Sequence, residues 1–72
     1  MTFLEQLHLW QRMSGLIKRK ATGPPEEFAK RLGLKRTALF RHLETLRSMG
    51  ADIRYCRERQ SYFFETDFEF RI

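Results

Sequence analysis

The spacing of apolar residues changes once along this chain, and that change restricts the possible folds more than any other feature. Before Gly50, apolar side chains recur at intervals of three and four residues, which is the period of an amphipathic α-helix. After Gly50 they alternate with charged side chains, which is the period of a β-strand. The sequence therefore predicts a mostly helical α+β chain in which three helices precede a C-terminal β-hairpin.

The first helix is predicted from Phe3 to Ala21. Its main apolar face comprises Phe3, Leu7, Trp10, Ile17 and Ala21, and a second stripe beside it comprises Leu9, Met13 and Leu16. Gly15 lies in the interior, where it destabilises a helix by about 1 kcal/mol relative to Ala, so we expect a close backbone approach or a bend there. Apolar coverage this wide favours a deep position in the core or contact of one stripe with a second subunit. Gly23-Pro24-Pro25 must end this segment.

Two shorter helices follow, and their spacing is typical of a helix-turn-helix arrangement over residues 25–49. Pro25 suits the first position of a helix, and Gly33 suits the left-handed residue that ends it. The third helix is predicted from about Lys35 to Met49, with Gly50 ending it in the same way. Its inner face comprises Leu39, Leu43 and Leu46. Ala29 would let the two helices approach closely, and Leu39 would fill the corner between them.

The remainder is predicted to form a β-hairpin over about residues 52–64, with the basic stretch Arg57 to Gln60 at its tip. The alternation of aromatic and charged residues then continues to Ile72. It predicts a tail strand over residues 65–72, which either prolongs the second strand or resumes after a break near Asp67.

Size and composition limit the classes of function. The 72 residues form one predicted domain, 1–72, and a chain this short buries only roughly 60% of its unfolded surface, too little for a deep catalytic cleft. No catalytic motif is visible, so we expect no enzyme activity. Cys56 is the one cysteine, which excludes an intrachain disulfide and a Cys-pair zinc site. We expect no metal, cofactor or small-molecule ligand. With no leader and no membrane-spanning stretch in the sequence, the expected location is cytoplasmic.

The net charge of +5 is unevenly distributed. Residues 1–60 carry +7, whereas residues 61–72 carry −2. Nucleic acid is the usual partner of a small basic intracellular domain, and the acidic tail would be repelled by phosphate.

The succession of segments resembles a known family. The run from Phe28 to Ile53, FAKRLGLKRTALFRHLETLRSMGADI, together with SYFF at 61–64, is similar to the type-11 helix-turn-helix family, which includes DeoR-type repressors and the N-terminal domain of the biotin-operon repressor. The resemblance extends over roughly residues 4–64. It implies a winged helix-turn-helix domain, whose third helix enters the major groove of duplex DNA while the hairpin tip, called the wing, contacts the flanking backbone or minor groove.

The resemblance also implies positions for the DNA contacts. On the third helix they are Lys35, Arg36, Thr37, Phe40 and Arg41, and on the wing they are Arg54, Arg57 and Arg59. Arg36, Thr37 and Arg41 would meet base edges or adjacent phosphates, and the wing arginines would meet phosphates. Phe40 would either meet a base or pack against the wing or a partner chain. Lys35 stands where the family usually has a Ser that caps the helix, and Lys cannot accept that hydrogen bond. Lys18, Arg19 and Lys20 are weaker candidates.

Two functions remain open. The first is sequence-specific binding of double-stranded DNA by a small bacterial-type transcription regulator, expected to be a homodimer through the first helix or the tail strand. The alternative is a winged helix that serves as a protein–protein interaction module without DNA binding. In that case the aromatic tail and the second stripe of the first helix would be the contact surfaces.

Overall fold

Three helices precede one two-stranded antiparallel sheet in the computed structural model, which describes residues 2–68. The elements are α1 (Phe3–Lys18), α2 (Pro25–Leu32), α3 (Arg36–Ser48), β1 (Ile53–Cys56) and β2 (Ser61–Phe64). The prediction of an α+β chain with its hairpin after the helices is confirmed. Within residues 2–68, no helix has the length and apolar character needed to cross a membrane.

α1 ends earlier than predicted. Lys20 has a left-handed backbone, with φ 57°, and its N–H donates to the carbonyl of Ile17 at 3.0 Å. The N–H of Ala21 reaches back to the carbonyl of Leu16 at 3.0 Å, so the two bonds close the helix as a Schellman motif. Ala21 is exposed, and its assignment to the apolar face of the first helix was wrong.

The buried face of α1 also differs from the prediction. Phe3 is 73% exposed because it lies at the end of the helix, beyond the core, and Met13 is fully buried rather than part of a second stripe. Among residues 2–68, no atom outside the helix backbone lies within 4 Å of a Cβ built on Gly15, so no described segment makes a close backbone approach there.

α2 begins and ends as predicted, and α3 is one residue shorter than predicted at each end. Pro25 is the first helical residue of α2, and Gly33 ends it in the left-handed conformation, with φ 70°. Ala29 and Leu39 are 2% and 0% exposed, as expected of residues at a close helix–helix corner. One core joins all the elements: Trp10, Met13, Ile17, Phe28, Ala29, Leu39, Leu43, Leu46, Ala51, Ile53 and Tyr62.

The predicted hairpin is confirmed, with residues 57–60 forming its turn. Ile53 pairs with Phe64 and Tyr55 with Tyr62 across the two strands. The ring of Tyr62 contacts those of Tyr55 and Phe28, with centroids 5.0 and 5.8 Å apart. These contacts attach the sheet to α2.

The free edge of β2 is held by the segment between α1 and α2. Thr22 is fully buried there, and its hydroxyl accepts a hydrogen bond from the Tyr62 N–H at 2.9 Å. In return, the N–H of Thr22 donates to the hydroxyl of buried Ser61 at 3.1 Å. A buried backbone donor without a partner would destabilise the fold, so this exchange fixes the position of the hairpin against the helices.

The predicted tail strand is wrong over residues 65–68, which form no strand. The Glu65 N–H still donates to the Asp52 carbonyl at 2.9 Å, one residue beyond β2. The rings of Phe64 and Phe68 then lie only 5.4 Å apart, whereas residues four apart in a strand are separated by about 13 Å. The chain therefore bends, because β1 starts at Ile53 and offers no further partner. Residues 69–72 of the predicted strand lie outside the described part of the chain.

Candidate nucleic-acid interface

The core fixes which side of α3 faces outward. Leu39, Leu43 and Leu46 are buried on its inner side. Trp10 on α1 reinforces this orientation, because its indole N–H donates to Nδ1 of His42 on α3 at 3.0 Å. The outer side carries the exposed residues Thr37, Arg41, Glu44 and Ser48, and the first two of these are predicted DNA contacts.

The N-terminus of α3 has no side-chain cap. Lys35 is its N-cap residue and makes no capping hydrogen bond, as expected of a side chain without an acceptor. The first-turn N–H groups of an α-helix have no partner within the helix and carry the positive end of its dipole. With Lys35 and Arg36 at this end, the potential favours an anionic ligand.

Arg36 has two neighbours within its own domain. Its guanidinium lies 5.6 Å from the ring centre of Phe40, in cation–π geometry, and Nη1 is 3.5 Å from Glu26 Oε1 on α2. Both members of this ion pair are largely exposed, so the pair contributes little to stability. Arg36 is thereby held over Phe40 at the start of α3 while keeping most of its N–H donors.

A shallow hollow of about 610 Å³ runs along the outer side of α3. It is lined by residues one turn apart on the helix: Thr37, Phe40, Arg41, Glu44 and Thr45. Phe40 is 39% exposed and supplies an apolar ring to this hollow. Among residues 2–68, the side chains of Thr37 and Arg41 make no hydrogen bond or ion pair. Both groups can therefore bind a ligand without losing an internal contact.

The three arginines predicted for the hairpin fall into two classes. Arg54 on β1 is bound to its neighbour Asp52, with Nε–Oδ1 at 3.2 Å and Nη2–Oδ2 at 3.4 Å. These hydrogen bonds and the carboxylate charge raise the pKa of the Arg54 guanidinium. Arg57 and Arg59 lie in the exposed turn, and neither pairs with a carboxylate in the described part of the chain. The positive charge of the hairpin is thus available at its tip rather than along β1.

Arg47 lies on the flank of α3 but serves the fold. Its Nε and Nη2 donate to the Ile53 carbonyl at 3.2 and 3.0 Å, and Nη1 donates to Glu44 at 2.6 Å. These bonds join the last turn of α3 to the start of β1. They set the angle at which the hairpin leaves the helix.

The basic residues at the end of α1 do not line the hollow on the outer side of α3. Lys18 and Lys20 line a hollow of about 550 Å³ together with Phe64, Asp67 and Phe68. The acidic side chain of Asp67 lies within it, which weakens the case for a phosphate contact there.

The structure brings the helix candidates together on one element and places the hairpin candidates on another. Lys35, Arg36, Thr37, Phe40 and Arg41 are contiguous on the outer side and N-terminal half of α3. Arg54 lies on β1, and Arg57 and Arg59 lie in the hairpin turn.

Sequence reasoning missed the partners that neutralise two of the candidates. The pairing of Asp52 with Arg54 was detectable, because residues i and i+2 of a strand share a face. The pairing of Glu26 with Arg36 was not, since the two residues belong to different helices. The bond between Trp10 and His42 likewise has no local signal.

The surroundings of His42 favour its neutral form. Burial lowers the pKa of its imidazole from the usual 6.5. A neutral ring can accept the Trp10 N–H, whereas a protonated ring cannot. Within residues 2–68, no group of three or more His, Cys, Asp or Glu side chains is arranged to hold a metal ion. Cys56 is a free, half-buried cysteine.

Comparison with protein-family models, curated proteins and solved structures finds no match for this chain. The function of the α3 surface is therefore inferred from its geometry and charge.

Proposed function

We propose that this chain is a winged helix-turn-helix domain that binds double-stranded DNA in a sequence-specific manner and acts as a small transcription regulator. The observation that carries the proposal is the outer side of α3. Within the described residues 2–68, the side chains of Thr37 and Arg41 make no hydrogen bond or ion pair, and they stand on a helix whose other side is fixed in the core. A rigid helix with free donors on one side is what reading of base edges in the major groove requires.

The residues have distinct roles in this proposal. Arg41 presents a fork of N–H donors suited to O6 and N7 of guanine, and Thr37 can reach a phosphate or a thymine methyl. Arg36, held over Phe40, suits a phosphate beside the groove. The exposed Phe40 ring offers an apolar contact to a thymine methyl.

On the wing, Arg57 and Arg59 are the stronger phosphate contacts. Arg54 is the weaker one, since its bonds to Asp52 would have to be broken or shared. Lys35 would add charge at the start of α3.

The proposal also includes the expected cellular location, the absence of enzyme activity and homodimerisation. The resemblance to the type-11 helix-turn-helix family supports a cytoplasmic DNA-binding regulator without enzyme activity or a cofactor. Homodimerisation through α1 is supported by Phe3 and Leu4, which are 73% and 58% exposed in its first turn. A pair of apolar side chains on an exposed helix end is a common contact between subunits.

The alternative, a protein–protein interaction module, rests on that same apolar end of α1. The two functions differ in their dependence on α3. An interaction module would keep its partner when Arg36 and Arg41 are changed, and would lose it when Phe3 and Leu4 are changed.

The test is equilibrium binding of a mixed-sequence duplex pool at several salt concentrations, monitored by fluorescence anisotropy. We expect affinity to fall steeply with salt, because phosphate contacts release counterions. The Arg36→Gln/Arg41→Gln variant should bind at least about tenfold more weakly. Its matched control is Lys30→Gln/Arg31→Gln on α2, which removes the same charge away from α3 and should change affinity by less than about threefold. Salt-insensitive absence of binding by the unaltered protein would refute the proposal.

A further inference from the structure

A second basic surface lies on α1 and is not used by the proposed contact with DNA. It is a groove of about 410 Å³, and none of the carboxylates within residues 2–68 lines it. The lining residues are Gln11, Arg12, Gly15, Leu16, Arg19 and Arg31. Three guanidinium groups and one amide therefore surround a small depression. The nearby carboxylate of Glu27 is 3.3 Å from Arg31 and compensates one of the three charges.

Two of the guanidinium groups are held in place by the domain itself. Arg12 Nη2 donates to the backbone carbonyl of Arg31 at 3.2 Å, and Arg31 Nη1 donates to that of Ala21 at 3.2 Å. A guanidinium has five N–H donors, so each group keeps donors for a ligand. Because these side chains are already ordered, a ligand that binds them pays a smaller entropic penalty.

Gly15 and the half-buried Leu16 form the apolar part of the groove, here called its floor. A Cβ on Gly15 would meet no atom of another described segment within 4 Å, so the floor is open. The groove therefore suits a ligand with acidic groups at its rim and an apolar group for its floor. A duplex backbone, which presents phosphates on a broad convex surface, would touch the guanidinium groups and leave this floor empty.

The groove faces away from α3. Trp10 points from α1 to His42 on α3, and at about 100° per residue Arg12 and Arg19 lie about 160° and 180° from Trp10 around the α1 axis. A duplex bound to the outer side of α3 leaves the groove accessible.

We propose that the α1 groove binds an acidic segment of a partner protein. Its carboxylates would pair with Arg12, Arg19 and Arg31, and one of its apolar side chains would cover Leu16. Carboxylate–guanidinium pairs of this kind are commonly bidentate, which gives them directional specificity. This inference goes beyond the proposed binding of DNA and does not depend on it. It supplies a way for a domain of 72 residues to be joined to a second protein while its α3 surface is occupied.

The experiment is a titration of the ¹⁵N-labelled full chain with a short, end-blocked synthetic peptide of glutamates and two leucines, monitored by NMR. The same peptide with glutamine in place of glutamate is the control probe. We expect saturable shifts at residues 11–19 and at Arg31 with the acidic peptide alone. Gly15→Trp, which fills the groove without changing charge, should weaken binding at least about tenfold. Arg12→Gln/Arg19→Gln should do the same.

The matched control variant is Arg57→Gln/Arg59→Gln, which removes the same charge from the hairpin turn and should alter peptide affinity by less than about twofold. Circular dichroism and urea unfolding establish that each variant is folded. Equal weakening by the groove and turn variants, shifts confined to α3, or absence of a saturable shift would each overturn the inference. Stronger shifts of the groove with a duplex than with the peptide would assign it to nucleic acid instead, which also overturns it. Loss of duplex binding in Arg36→Gln/Arg41→Gln with unchanged peptide binding would separate the two surfaces.

Discussion

At the scale of single residues, Thr22 contributes more to the fold than its place in a connecting segment suggests. Its hydroxyl accepts from the Tyr62 N–H and donates to the Gly23 carbonyl at 2.9 Å, so one side chain satisfies groups on both sides of the hairpin attachment. Ser61 completes the arrangement as the second buried polar residue. Polar residues before a Gly-Pro-Pro break normally indicate a solvated loop, so this role could not be predicted from the sequence.

Replacing Thr22 with Val tests this role. Val has nearly the same shape but leaves the buried Tyr62 N–H without an acceptor, so we expect a loss of about 1–3 kcal/mol in the free energy of unfolding. Urea unfolding followed by circular dichroism measures it. Thr45→Val is the matched control, because the Thr45 hydroxyl donates to a carbonyl of its own helix at a more exposed position. Equal losses in the two variants would show that the buried Thr22 hydroxyl contributes no more to the free energy of unfolding than the Thr45 hydroxyl does.

His42 makes the stability of the domain depend on pH. Its pKa is lowered by burial, so the unfolded chain takes up a proton first, near 6.5, while the folded imidazole is still neutral. The contribution of the neutral His42 ring to the free energy of unfolding is complete above pH 6.5. It decreases as pH falls through 6.5 towards the lower folded pKa, below which it is constant.

We therefore expect the difference in unfolding free energy between the unaltered protein and His42→Gln to shift against the unaltered protein between pH 7.5 and 5.5, roughly the range of histidine titration. Glutamine can accept the Trp10 N–H and does not titrate, so this comparison removes the common effect of the carboxylates. His8→Gln, at an exposed position of α1, should follow the unaltered protein. A difference for His42→Gln that is constant with pH would contradict this account.

At the scale of elements, all three helices end in the same way. Backbone bonds from Ala21 to Leu16, from Leu34 to Ala29 and from Ala51 to Leu46 each close a helix across a left-handed residue. Gly33 and Gly50 fill two of these positions, and the sequence predicted both ends correctly. Lys20 fills the third, and the absence of a glycine there is why α1 was predicted to continue to Ala21.

Lys20 should therefore be a site of backbone strain. Its φ of 57° is unfavourable for a residue with a Cβ, so Lys20→Gly should stabilise the domain by about 0.5–1 kcal/mol. Gly33→Ala, the reverse change at the equivalent position of α2, should destabilise it by about 1 kcal/mol. Thermal and urea unfolding measure both. Destabilisation by Lys20→Gly would mean that its side chain contributes more than its backbone conformation costs.

Periodicity predicted the elements that a single buried face specifies. The inner residues of α3 and the two strands were placed correctly because each repeats its local period. The tail strand was wrong because a period of two describes which residues could share a face, while a strand also requires a neighbour for its hydrogen bonds. Within residues 2–68, the one backbone bond that continues the ladder beyond Phe64 runs from Glu65 to the carbonyl of Asp52, the residue before β1.

At the scale of the whole molecule, the positive charge is divided between opposite sides. One part lies on the outer side of α3 and in the hairpin turn, and the other lies around the α1 groove. The sequence located the first because the helix-turn-helix spacing identifies an outward side. It did not locate the second, since Arg12 and Arg19 are separated from Arg31 in the sequence and meet it only in the folded chain, where Arg12 donates to the Arg31 carbonyl.

The central claim is that the outer side of α3 reads DNA sequence, and selection of bound duplexes from a random pool tests it most directly. The unaltered protein and the Arg41→Gln variant would be put through identical rounds, and the recovered duplexes sequenced. We predict that the unaltered protein enriches a defined motif, repeated with two-fold symmetry if it binds as a dimer, and that Arg41→Gln loses the preference at one base pair of each repeat. Recovery of an unenriched pool by the unaltered protein, or of the same motif by both proteins, would contradict the account.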